Sequence, residues 1–203
     1  MKIHSGNMLD SILEGLFDID YIHHEDIPNI DLYMDQVTTF METQLSSTRR
    51  YAEDKILTKT MINNYAKNNL LPPPTKKKYS KEHMLVLIFI YYFKSILSIK
   101  DIESLLKPIT EKYFHTDNPL SLTDIYDEIC KMEAIQVEPF CEEVKQIYDM
   151  ADKMFTDVPE DEHEDLKFFS FICGLSFDVY LKKFLIEKMI DEKIRKDEQK
   201  KEK

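Results

Sequence analysis

The chain has 203 residues, 43% hydrophobic and 32% charged, a balance that can bury the core of one sizeable domain or of two small ones. Three glycines and no tryptophan argue against Gly-rich phosphate-binding loops and a turn-rich all-β fold, so the composition indicates helices. The formal net charge of −11 at first disfavours a nucleic-acid partner.

The first segment, residues 1–27, is predicted to be a short amphipathic helix followed by a linker at Asp18–Asp26. Its apolar residues at helical spacing are Met8, Ile12, Leu13 and Leu16. Because Asp10 and Glu14 interrupt the apolar positions, the segment is not expected to be a signal peptide.

A second helix is predicted after the break at Ile27-Pro28-Asn29, with Asp31 as its N-cap and its end near Ser46. Its apolar stripe contains Leu32, Val37, Phe40, Met41 and Leu45. The following polar segment, Ser46–Asp54, is predicted to be a loop that carries Arg49 and Arg50.

A third helix, capped by Thr58, is predicted from Lys59 to about Asn68, with Asn69 in a left-handed conformation at its end. Its inward face carries Met61, Ile62 and Tyr65. Its outward face carries Lys59, Thr60, Asn63, Asn64 and Lys67. The three prolines that follow, residues 72–74, cannot continue the helix.

The run MLVLIFIYYF is apolar on every side, so we expect it to be buried on every side. Taken alone it could be a buried strand, but the N-cap at Ser80 and the length to about Ile96 favour a helix. A further amphipathic helix is predicted to begin at Ser98 and to end at Pro108.

The C-terminal part of the chain is predicted to be acidic and helical. Ser121 or Thr123 opens one helix and Pro139 begins another, followed by an acidic loop at Asp157–Asp165. A long apolar helix then runs from Leu166 to about Ile194, with a bend at Gly174. Residues 120–194 would dimerise or receive an effector, and the charged tail, residues 195–203, is expected to be disordered.

The positive charge is concentrated in one part of this acidic chain. Residues 49–83 contain nine basic and three acidic residues, a net charge of +6. Such a patch on an acidic body is typical of a surface that binds a polyanion. Lysines after prolines are also common in solvated loops, so the patch by itself leaves the question open.

The span from Leu57 to Leu106 resembles the winged-helix DNA-binding region of MerR-type transcriptional regulators. Tyr65 matches the Tyr that ends the recognition helix of that family, and Leu70-Leu71-Pro72-Pro73 matches its Leu-Leu-Pro-Pro turn. Lys77-Lys78-Tyr79 matches the Arg-x-Tyr element of the wing, and Leu97–Ile102 matches the start of the last helix. Asn63-Asn64 replaces an Arg-Tyr pair, and Asn69 replaces the Gly of the turn.

The stretches IDLYMDQVTTFM, ILTKTMINNY and LLPPP-KKKYSKEH also resemble an uncharacterised bacterial family, domain of unknown function 1836. The MerR-type resemblance implies a mainly all-α fold, with a MerR-like winged helix-turn-helix at residues 28–110 and an α-helical C-terminal region, whereas the domain of unknown function 1836 supplies no activity. Together with the basic charge pattern, the MerR-type resemblance predicts a DNA-binding surface made of Arg49, Arg50, Lys59, Thr60, Asn63, Asn64, Tyr65, Lys67, Lys76, Lys77, Lys78 and Tyr79.

The side chains give a physical reason for that surface. Asn pairs in bidentate fashion with adenine in the major groove, and Lys contacts guanine or phosphate. Prolines would hold the next loop extended and direct Lys76, Lys77 and Lys78 at the sugar-phosphate backbone. The sequence therefore predicts a recognition helix at about 59–68 and a basic wing at 74–79.

The expected function is sequence-specific binding of double-stranded DNA by a cytoplasmic transcriptional regulator, acting as a homodimer. The alternatives are an interaction module whose basic loop docks an acidic partner, and a sensor of an unknown small-molecule effector. We expect no enzyme activity, no metal or other cofactor and no membrane segment, because the corresponding motifs and apolar lengths are absent from the sequence. Three cysteines without CxxC spacing favour a reducing compartment.

Overall fold

A computed structural model describes residues 5–17 and 22–201, and its described part is mainly α-helical, as the composition predicted. Its helices and strands in chain order are α1 (Ser5–Phe17), β1 (Leu32–Tyr33), α2 (Met34–Gln44), α3 (Lys59–Lys67), β2 (Lys78–Tyr79), α4 (Lys81–Phe93), α5 (Ile99–Tyr113), α6 (Leu122–Asp152) and α7 (Glu160–Lys201).

The chain divides into two compact units, each made of two segments of the chain. Residues 22–129 and 187–203 form one unit, which we call the sheet unit. Residues 1–21 and 130–186 form the other, which we call the helical unit. Both α6 and α7 contribute to the two units, because the divisions at 129/130 and 186/187 fall inside these helices.

The two strands of the sheet unit pair antiparallel, with Leu32 opposite Tyr79 and Tyr33 opposite Lys78. This pairing corrects the predicted start of the second helix, because Leu32 is a strand residue and α2 begins at Met34. The N-cap position belongs to Tyr33, whose backbone N–H donates to Oε1 of Gln36 at 2.9 Å, and Asp31 has no capping role. Strand pairing between distant segments leaves no local sequence signal.

The core of the sheet unit is built around α4, and the prediction of a run buried on all sides is confirmed for Met84–Ile88 and Ile90, whereas Tyr92 of the same run is 37% exposed. Every side chain from His83 to Ile88, together with Ile90, is buried. The helix ends at Phe93, three residues before the predicted end. Helix α5 begins after Ser98, as predicted. The Oγ of Ser98 caps this helix by accepting from the backbone N–H of Asp101 at 3.2 Å.

Two prolines predicted as helix boundaries lie inside helices. Pro108 lies within α5, which continues to Tyr113, and Pro139 lies within α6, so two predicted helices are one. Proline has a helical φ and removes only one intrahelical hydrogen bond, a loss that packing of the surrounding helix can offset. Ser121 opens α6, because its Oγ accepts from the backbone N–H of Asp124 at 3.1 Å.

The last helix is longer at both ends than predicted. It begins at Glu160, inside the predicted acidic loop, and three acidic residues lie in its first turn, where the helix dipole favours them. At the other end it includes residues 195–201 of the tail that was expected to be disordered. Alternating charges allow i,i+3 pairs such as Arg195 with Glu192, whose Nη2 and Oε2 atoms are 2.6 Å apart.

The helical unit has a small apolar core in which one face of α7 packs on α6. The buried side chains of this core are Leu9, Leu13, Cys141, Val144, Ala151 and Phe171. The ring of Phe171 meets that of Tyr148 edge to face at 5.3 Å between centroids. Gly174, for which a bend was predicted, permits a close approach of the two helices, because a Cβ there would lie 2.7 Å from Cγ2 of Ile147.

A buried lysine joins the two long helices of the helical unit. Lys167 forms an ion pair with Asp152, the last residue of α6, and its Nζ lies 4.4 Å from the centroid of the Tyr148 ring. The hydrogen bond from Lys167 lowers the pKa of the Asp152 carboxyl. The positive charge also suits the C-terminal end of a helix.

The outer face of α7 is apolar and exposed over the segment Phe177–Leu185, which we call the apolar face. Its members, at helical spacing on one side, are Phe177, Tyr180, Leu181, Phe184 and Leu185, whereas the exposed Val179 and Ile186 lie on the opposite side of the helix. The rings of Phe177, Tyr180 and Phe184 stack in sequence along the helix, with centroids 6.2 and 6.4 Å apart. No helix in the described part of the chain is long and apolar enough to cross a membrane.

Candidate nucleic-acid interface

The predicted recognition helix, α3, has a defined beginning and a defined end. Oγ1 of Thr58 accepts from the backbone N–H of Met61 at 3.2 Å, which confirms the predicted cap. Asn69 has a φ of 57°, as predicted, and the N–H of Leu70 donates to the carbonyl of Tyr65 at 2.9 Å. This Schellman-type ending satisfies carbonyls at the helix end, with Asn supplying the left-handed residue.

The two faces of α3 divide as the sequence predicted. Ile62 and Tyr65 are buried, whereas the polar residues are exposed, namely Lys59, Thr60, Asn63, Asn64 and Lys67. Tyr65 is only 5% exposed, and burial raises the pKa of its hydroxyl. It belongs to the core, which corrects its inclusion among the DNA-contacting residues.

The predicted basic wing is a tight hairpin. The backbone N–H of Lys78 donates to the carbonyl of Thr75 at 3.0 Å, which closes a four-residue turn. Its two central residues, Lys76 and Lys77, have φ values of 52° and 64°. Positive φ at both central positions defines a type I′ turn, whose twist matches that of the flanking strands.

Lysine is an unfavourable residue at both central positions of such a turn. Type I′ turns strongly prefer Asn-Gly, and a left-handed conformation costs a residue with a Cβ on the order of 1–2 kcal/mol. Lys76 and Lys77 nevertheless occupy both positions and are exposed. An unfavourable residue at a strained position suggests selection for its side chain rather than for folding.

The base of the wing is anchored in the core by Tyr79. Its side chain is 3% exposed, and burial raises the pKa of its hydroxyl, so it also is a structural residue and not a surface contact. Lys78 is half-buried, with its Nζ 5.3 Å from the centroid of the Tyr33 ring across the two-stranded sheet. The exposed charges of the wing are therefore those of Lys76 and Lys77.

Ser80 and His83 connect the wing to α4. The backbone N–H of Ser80 donates to Nδ1 of His83 at 3.0 Å, so this nitrogen is unprotonated and Nε2 carries the proton. His83 is 1% exposed, and its Nε2 has no hydrogen-bond partner in the described part of the protein. Burial lowers the pKa of His83 to about 4, although the carbonyls of Pro73 and Pro72 act in the opposite direction.

Arg49 and Arg50, predicted to belong to the same surface, lie at the other end of α4. They line a cavity with Tyr91 and Lys94, whereas the wing directly precedes the N-terminus of that helix. A helix of 13 residues is about 20 Å long, so the two basic regions are separate. Arg49 is also engaged within the chain, in an ion pair with Glu42.

Lys59 forms an ion pair with Asp35 at the start of α2. Both side chains are more than half exposed, and exposed pairs of this kind contribute about 0–1 kcal/mol, so Lys59 can exchange Asp35 for another anion. Sequence reasoning missed Asp35 and Tyr33 as partners of the basic side chains. No local sequence pattern indicates the contact of Tyr33 with Lys78, which follows from the pairing of β1 with β2 that brings residues 32–33 beside residues 78–79.

The sequence profile of a family described as Domain of unknown function (DUF1836) matches residues 22–129, which include α3, the wing and α4. The match covers more than half of the chain. The chain belongs to this family. The family match ends at Ile129, where the sheet unit also ends its first segment. No curated protein and no solved structure shows significant similarity to the chain.

Proposed function

We propose that the protein is a transcriptional regulator that binds double-stranded DNA in a sequence-specific manner, through a MerR-like winged helix within residues 28–110. The observation that carries the proposal is the wing, in which two exposed lysines occupy the strained central positions of a type I′ turn. Seven residues, 68–74, separate the polar helix α3 from this turn, which places positive charge on a rigid hairpin. A rigid basic hairpin is suited to contacts with phosphate.

The two parts have different roles in the proposal. Asn63 and Asn64 on α3 read base edges, since Asn pairs in bidentate fashion with adenine, and Lys67 contacts guanine or phosphate. Lys76 and Lys77 neutralise backbone phosphates, which gives affinity without sequence preference. The protein then acts in the cytoplasm without a cofactor and without catalysing a reaction.

We propose further that the regulator is a homodimer joined through the apolar face of α7. The five exposed side chains on one side of the helix between Phe177 and Leu185 retain on the order of 100 Å² each, about 500 Å² in all, by the usual size of aromatic and aliphatic side chains. A standard interface buries about 800 Å² per partner, so this face would supply the larger part of one. A two-fold dimer would bind paired half-sites.

A charge-removing variant of the wing tests DNA binding without disturbing the turn. Lys76→Asn with Lys77→Gly installs the preferred type I′ sequence, so we expect the protein to be more stable by about 1–2 kcal/mol. Its affinity for a selected duplex should fall, and the slope of log K against log salt should decrease by about 1.8, or 0.9 per phosphate contact. Binding is measured by fluorescence anisotropy at several salt concentrations.

The matched control removes the same charge elsewhere. Lys100→Gln with Lys107→Gln changes two exposed lysines of α5, and we expect the slope to stay unchanged. A wing variant that binds as tightly as the original chain, or a protein that prefers no duplex over random DNA, contradicts the proposal. Capture of an acidic protein that survives nuclease treatment would support the alternative, an interaction module.

The dimer is tested separately. Leu181→Glu with Phe184→Glu places charge in the centre of the apolar face, and analytical ultracentrifugation should show a change from dimer to monomer. Glu192→Lys, in the exposed charged part of the same helix, is the control and should remain dimeric. A monomer at all concentrations before mutation contradicts this part of the proposal.

A further inference from the structure

A second basic region of the sheet unit forms a cavity at the C-terminal end of α4. The cavity has a volume of about 370 Å³, within the range of small-molecule sites. Its walls come from the segment after α2 and from the last turn of α4, and the lining residues that matter here are Thr48, Arg49, Arg50, Lys55, Tyr91 and Lys94. The family match and the DNA-binding proposal give no role to this cavity.

Positive charge exceeds negative charge around the cavity. Four of the lining residues are cations, and Asp54 is the one carboxylate that lines it. Asp54 is already engaged, because its Oδ2 accepts from the backbone N–H of Tyr51 at 3.0 Å. Glu42 neutralises only Arg49, so a net positive charge remains at this place in a chain whose total is −11.

Lys94 is a half-buried cation that has no carboxylate partner in the described part of the protein. Its Nζ donates to the carbonyl of Ile56 at 2.7 Å and lies 4.5 Å from the centroid of the Tyr91 ring. Burial lowers the pKa of its ammonium group. A charge held away from water in this way is destabilising unless an anion comes near, so a bound anion would stabilise the site.

Arg49 adds a second unsatisfied group. Its guanidinium contacts Glu42 on one side, and Nη1 donates to the carbonyl of Ala52 at 3.3 Å. Its Nε is buried and has no hydrogen-bond partner among the described residues. The hydroxyl groups at the cavity wall are satisfied within the chain, because Oγ1 of Thr48 donates to the carbonyl of Leu45 at 2.7 Å and accepts from the hydroxyl of Tyr91.

We infer that this cavity binds a small phosphorylated molecule of mononucleotide size. The cationic side chains supply the donors that a phosphate group requires. Tyr92, whose ring meets that of Tyr91 edge to face at 5.5 Å between centroids, also lines the cavity. The site is independent of the proposed DNA-binding wing, since α4 separates the two by about 20 Å.

Calorimetric titration of the full chain with AMP, inorganic pyrophosphate and adenosine tests the inference. AMP and pyrophosphate should bind and adenosine should not, because the phosphate group supplies the recognised charge. The variant Arg50→Gln with Lys55→Gln changes two exposed lining residues and should weaken both phosphate probes by about tenfold or more. The control, Lys76→Gln with Lys77→Gln in the wing, should bind them as the original chain does.

A small phosphorylated ligand and the phosphates of a DNA backbone would give different results with these variants. Duplex binding should be unchanged in the cavity variant and reduced in the wing variant. Failure of both AMP and pyrophosphate to bind overturns the inference, and so does equal weakening of these probes by the cavity and wing variants. A cavity variant that loses duplex affinity while no small phosphate binds assigns the cavity to the DNA backbone, which refutes the small ligand and leaves the proposed function intact.

Discussion

Helices α4 and α7 both contain dense apolar segments, yet the protein uses them in different ways. In α4 the side chains from His83 to Ile88 are buried within the sheet unit. In α7 the apolar face from Phe177 to Leu185 remains exposed, with Leu185 itself at 61%. An apolar helix in the sequence therefore indicates that a surface will be covered, but it does not indicate whether the same chain covers it.

The difference follows from the number of neighbours. The core helix α4 is surrounded by β2, α5 and the first turns of α6, where the ring of Phe89 meets that of Tyr126 at 5.5 Å. In the helical unit α7 packs against α6 and α1, with Phe171 in the shared core and Gly174 close to Ile147 of α6. The exposed apolar face is the one for which we propose a second copy of the chain.

The largest expected effect on stability comes from making the same Leu→Ala substitution in each of the two helices. Leu87 is 0% exposed and Leu185 is 61% exposed. Leu87→Ala should reduce the free energy of unfolding by about 4 kcal/mol, because it removes a buried side chain and leaves a cavity. Leu185→Ala should change it by less than about 0.5 kcal/mol under conditions in which the chain is monomeric.

Urea denaturation followed by circular dichroism measures both values. An equal loss in the two variants would show that α7 is covered by its own chain, which would remove the reason for placing a dimer interface there. A loss of stability for Leu185→Ala that appears only at high protein concentration would support the dimer interface.

A smaller effect concerns the N-terminus of α4. His83 is neutral when folded, with its pKa lowered by burial from 6.5 to about 4, so the unfolded chain binds a proton more readily between these values. Stability should therefore fall by up to about 3 kcal/mol as the pH decreases from 6.5 to 4. Asp31, Glu82 and His115 are the charged or titratable groups around it.

His83→Gln should remove this part of the pH dependence. Gln at this position can still accept from the backbone N–H of Ser80, as in a capping box, but it does not titrate. Thermal unfolding of both chains from pH 4 to pH 7 gives the difference. Parallel curves would mean that His83 has the same pKa in the folded and the unfolded chain, which would contradict the prediction.

The smallest of the three effects tests the packed face of α7. Gly174→Ala places a Cβ 2.7 Å from Cγ2 of Ile147, and we expect a loss of about 1–2 kcal/mol from overpacking, despite the higher helix propensity of Ala. The combination with Ile147→Val, which keeps that methyl group, should not restore stability, whereas Ile147→Ala, which removes it, should do so in part. A gain in stability for the single variant would show that the two helices can move apart at no cost.

Local chemistry made several parts of the candidate site predictable. Thr58 marks the start of α3 because its side chain accepts from a backbone N–H of the first turn, and Ser80 marks the start of α4 through its capping box with His83. Asn69 ends α3 because Asn tolerates a positive φ. The alternation of polar and apolar residues fixed the faces of α3. These features depend on residues within a few positions of one another, so a single sequence contains them.

Other parts depended on distant residues and were wrong or missed. Asp31 was expected to cap α2. Leu32 and Tyr33, which lie between Asp31 and that helix, instead form strand β1 and pair with β2. Pro108 and Pro139 were expected to end helices, but packing along α5 and α6 outweighs the loss of one hydrogen bond each. Arg49 and Arg50 were grouped with the wing because both belong to the same basic stretch of the sequence. In the structure they lie at the opposite end of α4 from the wing.

The sequence by itself determined the helical composition, the boundaries that caps define, the exposed polar face of α3 and the positive charge of residues 49–83. The tertiary structure decided which apolar helix is enclosed, which tyrosines are core, and that the basic residues form two regions. Hydrogen bonds at caps and turns act between neighbours in the chain. Burial and the separation of charges depend on how remote segments pack, and no local pattern contains that information.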